Sequence, residues 1–152
     1  MKPMIDKDIH LRALKVVGQA YESARFSEIF PLLAEDAVWE SQWRLGSEQG
    51  RDQVIRYFGI KEKALRDAGF SIRWAVVELV DSLNMMPCHD GKGNRVHVGL
   101  YYPKGKLCLY VEQDLDGEVS GTIIDLTMNE DGLITRIDLC MPELFCFKRY
   151  EE

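Results

Sequence analysis

The stretch ALRDAGFSIRWAVVELVD, residues 64–81, marks the point at which the hydrophobic period of the chain changes. Before Gly69, apolar residues recur at the spacing of one helix face, namely Ile55, Phe58 and Leu65. That spacing predicts a helix over residues 50–68, and Gly69 is a natural C-terminal stop. After Gly69, residues 70–81 are rich in β-branched and aromatic side chains, which predicts a strand. The helical patterns therefore lie before this point, and most of the predicted strands follow it.

Two further helices are predicted upstream. One covers residues 7–24, with Asp6 as its N-cap, and a short one runs from Ser27 to about Ala34, with Pro31 near its first turn. Besides 70–81, strands are predicted at 37–44, 95–102, 106–114, 118–128 and 133–141, with a loop at 83–94 and a hairpin turn at 103–105. Helices followed by strands predict an α+β fold with an antiparallel sheet.

The predicted sheet carries apolar residues on both faces. Hydrophobic side chains occupy consecutive positions in residues 107–111 and again in residues 123–124, whereas a sheet with one face in water usually shows polar alternation. Three helices cover only one face of such a sheet. The other face needs a partner, and a second copy of the chain is the simplest one. We therefore predict a homodimer that forms through the sheet.

Length and charge restrict the class of protein. With 152 residues, the chain is expected to form one domain, residues 1–152, and to bury about two-thirds of the surface of its unfolded form. The 19 basic and 25 acidic side chains give a net charge of −6, and the basic residues form no block. This balance argues against a nucleic acid partner and against binding to an anionic membrane surface. No run approaches the roughly 18 apolar residues of a membrane span.

The N-terminus and the cysteines bear on the compartment. Asp6 and Asp8 stand where a secretory signal would need an apolar run, which predicts a cytoplasmic protein. The four cysteines are then expected to be free thiols: Cys88, Cys108, Cys140 and Cys146. The group Cys88, His89, Asp90 and His97 matches no structural zinc spacing, so we predict neither a metal site nor a cofactor. His10, on the first helix, is expected to be exposed.

Three strings carry a resemblance to a known superfamily: FSEIFPLLAEDAVWES at 26–41, GRDQVIRYF at 50–58, and GTIIDLTMNEDGLITRIDL at 121–139. With the order of the elements, they resemble the nuclear transport factor 2-like group (cystatin-like fold), which includes ketosteroid isomerase and polyketide cyclases. The resemblance covers about residues 8–141 and leaves an aromatic tail at 142–152. It implies three N-terminal helices packed on a strongly curved mixed or antiparallel sheet that forms a cone with an apolar pocket. Because the superfamily hosts many functions, the resemblance implies no single activity.

The predicted strand 37–44 is expected to form part of the pocket wall. Alternate side chains of a strand share a face, so Trp39, Ser41 and Trp43 point one way, and Val38, Glu40, Gln42 and Arg44 point the other. In the resembling enzymes, the first set lines the pocket. A core role for both tryptophans is an equally good interpretation, and the two overlap, since a pocket wall is also core.

The resemblance also implies candidate catalytic residues. Ketosteroid isomerase uses an aspartate base on this strand, and Ser41 stands at that position here, where it cannot act as a base unaided. The oxyanion tyrosine of the isomerase matches Val17, and Tyr21 lies one turn further along the same helix. Asp125 matches the aspartate that donates a hydrogen bond in the isomerase. We therefore name Asp125 and Tyr21 as candidate catalytic residues, with a buried structural aspartate as the alternative for Asp125.

Asp125 is expected to share the pocket with apolar neighbours on its own strand and the next one. The predicted ligand-binding residues are Trp39, Ser41, Trp43, Val17, Phe58, Ile123, Ile137, Leu139 and Met141. Glu78 shares a face with Trp74 and Val76, and that face is either the pocket or the dimer contact.

Three functions follow from this interpretation. The first is a protein that binds a small apolar or aromatic molecule in the pocket. The second is a cofactor-independent isomerase, dehydratase or cyclase in which Asp125 supplies or donates a proton. The third is a dimeric protein-interaction module with a filled cone.

Overall fold

The computed structural model describes residues 6–82, 86–89, 95–98 and 105–151, with side-chain positions for residues 6–80, 105–143 and 145–151. The two α-helices of this part are α1 (Lys7–Ser23) and α2 (Arg51–Ala68). The strands are β1 (Leu33–Ser41), β2 (Ser47–Gln49), β3 (Ser71–Ser82), β4 (Met86–His89), β5 (Arg95–Val98), β6 (Leu107–Leu115), β7 (Glu118–Met128), β8 (Ile134–Cys140) and β9 (Phe145–Arg149). Three short 3-10 turns cover Phe26–Glu28, Phe30–Leu32 and Pro142–Leu144.

Both α-helices begin and end close to the predicted residues. The side chain of Asp6 accepts a hydrogen bond of 2.8 Å from the Asp8 N–H, which is the predicted N-cap of α1. Gly69 ends α2 in the left-handed conformation, with φ of 73°, and its N–H donates to the Leu65 carbonyl at 3.1 Å. Glycine adopts this conformation without the steric penalty of a Cβ atom, so the predicted end of the helix at Gly69 is confirmed.

The short α-helix predicted from Ser27 to about Ala34 is wrong. The structure has the two 3-10 turns there, and β1 already begins at Leu33. Pro31 offers no N–H for a helical hydrogen bond, and Leu33 pairs with Ile134 of β8. The residues from Leu33 onward, which the predicted helix required, are therefore paired in the sheet instead.

Seven strands form one open sheet in the order β2-β1-β8-β7-β6-β3-β9. β1 runs parallel to β8, and the other neighbouring pairs are antiparallel. The fold is thus α+β, as predicted, and the sheet is mixed, which is one of the two arrangements that the resemblance implied. The tail contributes β9, which pairs with β3 and forms one edge of the sheet.

The middle of the chain differs from the predicted hairpin. β4 and β5 form a separate two-stranded antiparallel sheet, so part of the predicted loop at 83–94 is a strand. β6 pairs with β3 and β7 rather than with the strand predicted at 95–102. Residues 103–104 of the predicted turn lie outside the described residues.

Buried apolar residues form two clusters, one on each side of the sheet. The larger, which we call the helix-facing core, includes Leu14, Val17, Trp39, Phe58, Leu109, Ile124, Leu126 and Ile137. The smaller, which we call the opposite-side core, consists of Val77, Leu79, Cys108, Ile123, Cys140 and Phe145. Because these six residues are already buried in a single chain, they do not require a second copy to cover them.

Neither described helix combines the length and the apolar character that crossing a membrane requires.

Candidate functional site

Trp39 on β1 and Tyr57 on α2 form the centre of the candidate site. Trp39 is 2% exposed, and its ring centroid lies 4.0 Å from that of Tyr57, with 32° between the ring planes. β1 holds Trp39 beside Ile137 of β8, while α2 packs across β1 and brings Tyr57 over the indole. The pair therefore joins the sheet to the second helix through closely packed, tilted aromatic rings.

Arg44 brings a positive charge to this aromatic pair. Its guanidinium carbon lies 5.4 Å from the Trp39 ring and 5.6 Å from the Tyr57 ring, within the range of cation–π attraction. Glu48 holds the same guanidinium by an ion pair of 2.7 Å. The turn between β1 and β2 thus fixes a cation over both rings.

An open cleft of about 370 Å³ lies in front of Tyr57. Its lining residues are Arg44, Glu48, Gln53, Arg56, Tyr57 and Ile60. Ile60 is 66% exposed, so the cleft has an apolar rim. Burial raises the pKa of Tyr57 to about 12, although Arg44 acts against that rise, and Tyr57 therefore stays a neutral hydroxyl at physiological pH.

Two buried polar atoms of the helix-facing core have no hydrogen-bond partner in the described part of the chain. Within the described residues, neither the Tyr21 hydroxyl nor the Trp39 Nε1 has a hydrogen bond. The Tyr21 ring meets Phe26 edge-on at 4.9 Å, and Phe26 stacks on Phe58 at 4.8 Å. Burial raises the pKa of Tyr21 above its ordinary value, and the nearby Tyr57 adds to the rise. Such unpaired groups are uncommon in a core, because each leaves a desolvated dipole unsatisfied.

Several residues predicted to bind a ligand do lie in or against the helix-facing core: Val17, Trp39, Phe58, Ile137 and Leu139. Ser41 stands at the end of β1, where its hydroxyl accepts a hydrogen bond of 3.2 Å from the Trp43 N–H. Met141 follows β8, and its N–H donates to the Gln42 side chain at 2.7 Å. The structure leaves the roles of these residues in binding as predictions.

Trp43 is not beside Trp39 in a common wall. β1 ends at Ser41, three residues earlier than predicted, and Trp43 lies in the turn that follows. Its side chain is 52% exposed. The alternation that would have placed both indoles on one face stops before it reaches Trp43.

Asp125 lies on the other side of the sheet from Tyr21 and Trp39. On β7, Leu126 pairs with Ile137 in the helix-facing core, so the adjacent Asp125 points away from that core. Ile123, two residues earlier, belongs to the opposite-side core for the same reason. The structure therefore does not bring Asp125 and Ile123 to the site that contains Tyr21.

The surroundings of Asp125 are polar as well as apolar. The side chain is 2% exposed, and the Lys106 ammonium donates to its Oδ2 at 2.8 Å. The Cys108 thiol approaches its Oδ1 at 3.8 Å, and burial raises the pKa of that thiol well above its ordinary value. The Asp125 side chain thus accepts from Lys106 and lies near a thiol, and its catalytic role stays a prediction.

The structure places Glu78 on one face of the sheet and corrects the predicted exposure of His10. Glu78 lies on β3 beside Leu107 of the helix-facing core, near the sheet edge, and Lys148 is 3.9 Å from its carboxylate. His10 is half-buried rather than exposed, and its Nε2 lies 3.2 Å from the Leu126 carbonyl. The side chains of Cys88, His89, Asp90 and His97 lie outside the described part of the chain.

Sequence reasoning missed Tyr57 and Arg44. Tyr57 stands next to Phe58 on the predicted third helix, which is the only signal that pointed to it. Strand alternation placed Arg44 on the face opposite Trp39, and this prediction is wrong, because β1 ends before Arg44 and the turn that follows brings it over both rings.

Comparison with solved structures identifies the fold of the chain. No family model and no curated protein matches the chain. Among solved structures, a protein of unknown function with a cystatin-like fold from Methylobium petroleophilum PM1 aligns with a TM-score of 0.55 and 10% identity, over 98% of this chain and 83% of that one. A cystatin-fold protein from Novosphingobium aromaticivorans aligns with a TM-score of 0.53 and 10% identity, over 86% and 97%.

The chain has the cystatin-like fold. A candidate ketosteroid isomerase from Kribbella flavida DSM 17836 aligns as well, with a TM-score of 0.54 and 15% identity, over 99% of this chain and 86% of that one. The predicted resemblance is thus confirmed for the cystatin-like fold. Sequence identities this low support a shared fold but not a shared activity, so the function has to be inferred from the site itself.

Proposed function

We propose that this cystatin-like protein binds a small, flat, neutral apolar or aromatic molecule at the cleft in front of Trp39 and Tyr57. The observation that carries the proposal is the buried Trp39 indole, whose N–H has no partner among the described residues and whose ring stacks on a wall of the open cleft. At about 370 Å³, the cleft falls within the range of small-molecule sites.

The chemistry of the lining favours a flat ligand. Tyr57 offers an aromatic surface, and Ile60 offers an aliphatic one beside it. A ring that extends the Trp39–Tyr57 stack would gain offset stacking energy of about 1 kcal/mol beyond the area that it buries. Arg44 is already held by Glu48, which offsets its charge, and Arg56 is the further charged residue of the lining, so the cleft disfavours a cationic ligand.

The unpaired indole N–H favours a ligand that also carries one hydrogen-bond acceptor. An unsatisfied buried donor costs about 1–3 kcal/mol, and a ligand carbonyl or ether oxygen that reached it would recover part of this cost. Behind Trp39, the helix-facing core continues with Val17, Phe58, Ile137 and Leu139, so a ligand that entered more deeply would meet apolar groups. A central apolar pocket enclosed by a cone-shaped sheet is part of this proposal.

A titration with acetophenone, a neutral flat ketone, tests the proposal. Each of the three tryptophans contributes one indole N–H signal to a ¹H–¹⁵N spectrum. We expect a saturable shift of the Trp39 signal and weaker binding in Trp39→Phe, which keeps a ring but removes the N–H. Trp43→Phe is the matched control, because Trp43 is an exposed tryptophan four residues away, and it should leave the affinity unchanged.

The proposal fails if acetophenone and a panel of neutral aromatic and alicyclic molecules leave the Trp39 signal unmoved in the folded protein. That outcome would favour the third function, an interaction module with a filled core. Equal loss of affinity in Trp39→Phe and Trp43→Phe would also contradict it, since the site would then not be centred on Trp39.

Catalysis by Asp125 and Tyr21 stays a prediction. The homodimer also stays a prediction. The partly buried rings of Tyr110 and Phe147, 5.4 Å apart on the opposite side of the sheet, are where a second copy would pack. Analytical ultracentrifugation of the wild type and of Tyr110→Glu tests this. A dimer that becomes a monomer in the variant would support the prediction, and a monomeric wild type would refute it.

A further inference from the structure

Lys61 lies on α2 between the residues that line the cleft and those that face the core. One turn earlier on the helix, Tyr57 lines the cleft and Phe58 is buried in the helix-facing core. Lys61 follows Tyr57 by four residues and Phe58 by three, and side chains at these spacings are neighbours on one helix surface. Long helical side chains also lean toward the preceding turn. The Lys61 side chain therefore starts at the border between the cleft and the core.

The burial of Lys61 is unusual for a lysine. Lys61 is half-buried, whereas the side chain of Lys63, two residues later on the same helix, is 81% exposed. Lysines are seldom buried unless they are paired, because an ammonium that leaves water loses its hydration. Lys61 thus occupies a position at which the charged form of its side chain is disfavoured.

No partner offsets this cost within the described part of the chain. Other lysines form ion pairs there, for example Lys63 with Asp67 at 3.2 Å and Lys106 with Asp125 at 2.8 Å. Among the described residues, Lys61 has neither an ion pair nor a hydrogen bond. Burial lowers the pKa of the Lys61 ammonium below its ordinary value. A larger share of Lys61 than of an exposed lysine is therefore the neutral amine, which is the nucleophilic form.

The cleft beside Lys61 offers a place for the reaction partner. Its volume is about 370 Å³, and Tyr57 and Ile60 give it an aromatic and an aliphatic surface. On a helix, the Cβ atoms of residues four apart, such as Tyr57 and Lys61, are about 5–6 Å apart. The flexible four-carbon stem of a lysine spans a distance of this size. A carbonyl group on a ring that contacts Tyr57 is therefore within reach of the Lys61 amine.

We propose that Lys61 forms an imine with a small aromatic aldehyde bound in this cleft, which rests on the binding function proposed above and names its ligand class. The lone pair of the amine nitrogen attacks the aldehyde carbon, and the carbonyl oxygen takes up a proton. Loss of that oxygen as water, with both amine hydrogens, leaves a carbon–nitrogen double bond. Nothing is oxidised or reduced in this step. An aldehyde is less crowded at this carbon than a ketone, which suits a half-buried amine.

Benzaldehyde is the probe, and acetaldehyde is its counterpart without a ring. Sodium cyanoborohydride, added near neutral pH, reduces each imine to a stable amine, and peptide mass spectrometry then gives the rate of modification at each lysine. Lys63 is the internal control, because it lies on the same helix and is exposed. With benzaldehyde, we expect Lys61 to react faster than Lys63. The ratio of these two rates should be at least about fivefold higher with benzaldehyde than with acetaldehyde, the gain expected of one aromatic contact.

A pair of exposed aliphatic residues tests whether the cleft supplies this gain. Ile60→Ser removes an apolar part of the cleft lining and should lower the ratio of rates for benzaldehyde. Val119→Ser is the matched control, because Val119 is 54% exposed on β7 and does not line the cleft, and it should leave the ratio unchanged.

Two outcomes would overturn the proposal. The first is benzaldehyde modification of Lys61 that is no faster than that of Lys63, in protein whose spectrum shows it to be folded. The second is a ratio of rates that is equal for the two aldehydes, since the ring would then contribute nothing. The acetophenone titration separates this proposal from the previous one. A saturable Trp39 shift without preferential modification of Lys61 overturns the imine alone. An unmoved Trp39 signal, with the preference of Lys61 for benzaldehyde intact, supports the imine and overturns only a site centred on Trp39.

Discussion

Gly18 of α1 lies directly against the indole of Trp74 on β3, so closely that a Cβ at residue 18 would overlap the ring. The absence of a side chain lets the first helix approach the sheet at this position. The same contact holds Trp74 in place as a wall of a cleft between α1 and β9. A glycine in mid-helix is therefore explained here by packing rather than by a bend.

Replacement of Gly18 by alanine should destabilise the protein. Alanine gains about 1 kcal/mol of helix propensity over glycine, but overpacking against Trp74 costs about 1–3 kcal/mol, so we expect a net loss of stability. Gly59→Ala is the matched control, because Gly59 lies within α2 and an added Cβ there meets nothing within 4 Å. Urea unfolding of both variants checks this, and equal stabilisation of the two would contradict the Gly18–Trp74 contact.

Removing one partner of the Lys106–Asp125 pair should destabilise the protein strongly. Asp125 is 2% exposed, and the side chain of Lys106 is 25% exposed. Removal of one partner leaves a buried charge uncompensated, and Lys106→Met should therefore cost about 3 kcal/mol, the lower end of the usual range. Lys106→Met combined with Asp125→Leu should recover most of this loss. A double-mutant cycle measured by urea unfolding that shows no coupling between the two residues would refute the prediction.

His10 should make stability depend on pH. Burial lowers the pKa of His10 below its ordinary value of 6.5, while its hydrogen bond to the Leu126 carbonyl and the Asp125 carboxylate oppose the shift and Lys106 adds to it. As the pH falls, His10 therefore takes up a proton in the unfolded chain before it does so in the folded protein. The stability that this group contributes is therefore full above about pH 6.5 and is lost as the pH falls through the folded-state pKa.

His10→Gln should flatten this part of the pH profile. The free energy of unfolding of the wild type, measured from about pH 7.5 to pH 5, should fall more steeply than that of the variant. The other two histidines, His89 and His97, are common to both proteins and cancel in the comparison. Parallel profiles would show that His10 titrates alike in the folded and unfolded states.

The thiols should differ sharply in reactivity. Cys146 is exposed, whereas Cys108 and Cys140 are buried and burial raises the pKa of Cys108. In a Cys88→Ser background, a disulfide reagent should label Cys146 rapidly and the two buried thiols only after unfolding, because the thiolate is the reactive form. Cys146→Ser in the same background should abolish the fast reaction. Fast labelling that persists in this variant would contradict the burial of the other two.

Local patterns in the sequence predicted the elements whose residues interact mainly with near neighbours. The helical stripe before Gly69 predicted α2, and residues 70–81 and 118–128 predicted β3 and β7 to within one residue. These predictions succeed because capping and hydrophobic period act over a few residues. The short helix near Pro31 failed because β1 starts inside it, and that start depends on pairing with β8, about a hundred residues away.

The sequence by itself determined the α+β class, the ends of the two long helices, and the presence of a buried tryptophan and a buried aspartate. Only the tertiary structure decided that Trp39 and Asp125 lie on opposite sides of the sheet, that Trp43 is exposed, and that Arg44 and Tyr57 complete the site. The reason is that consecutive apolar residues, as in 123–124, carry no alternation from which a face can be deduced. The pairing of Leu126 with Ile137 sets that face, because a shift of one residue in register moves every side chain of a strand to the other side.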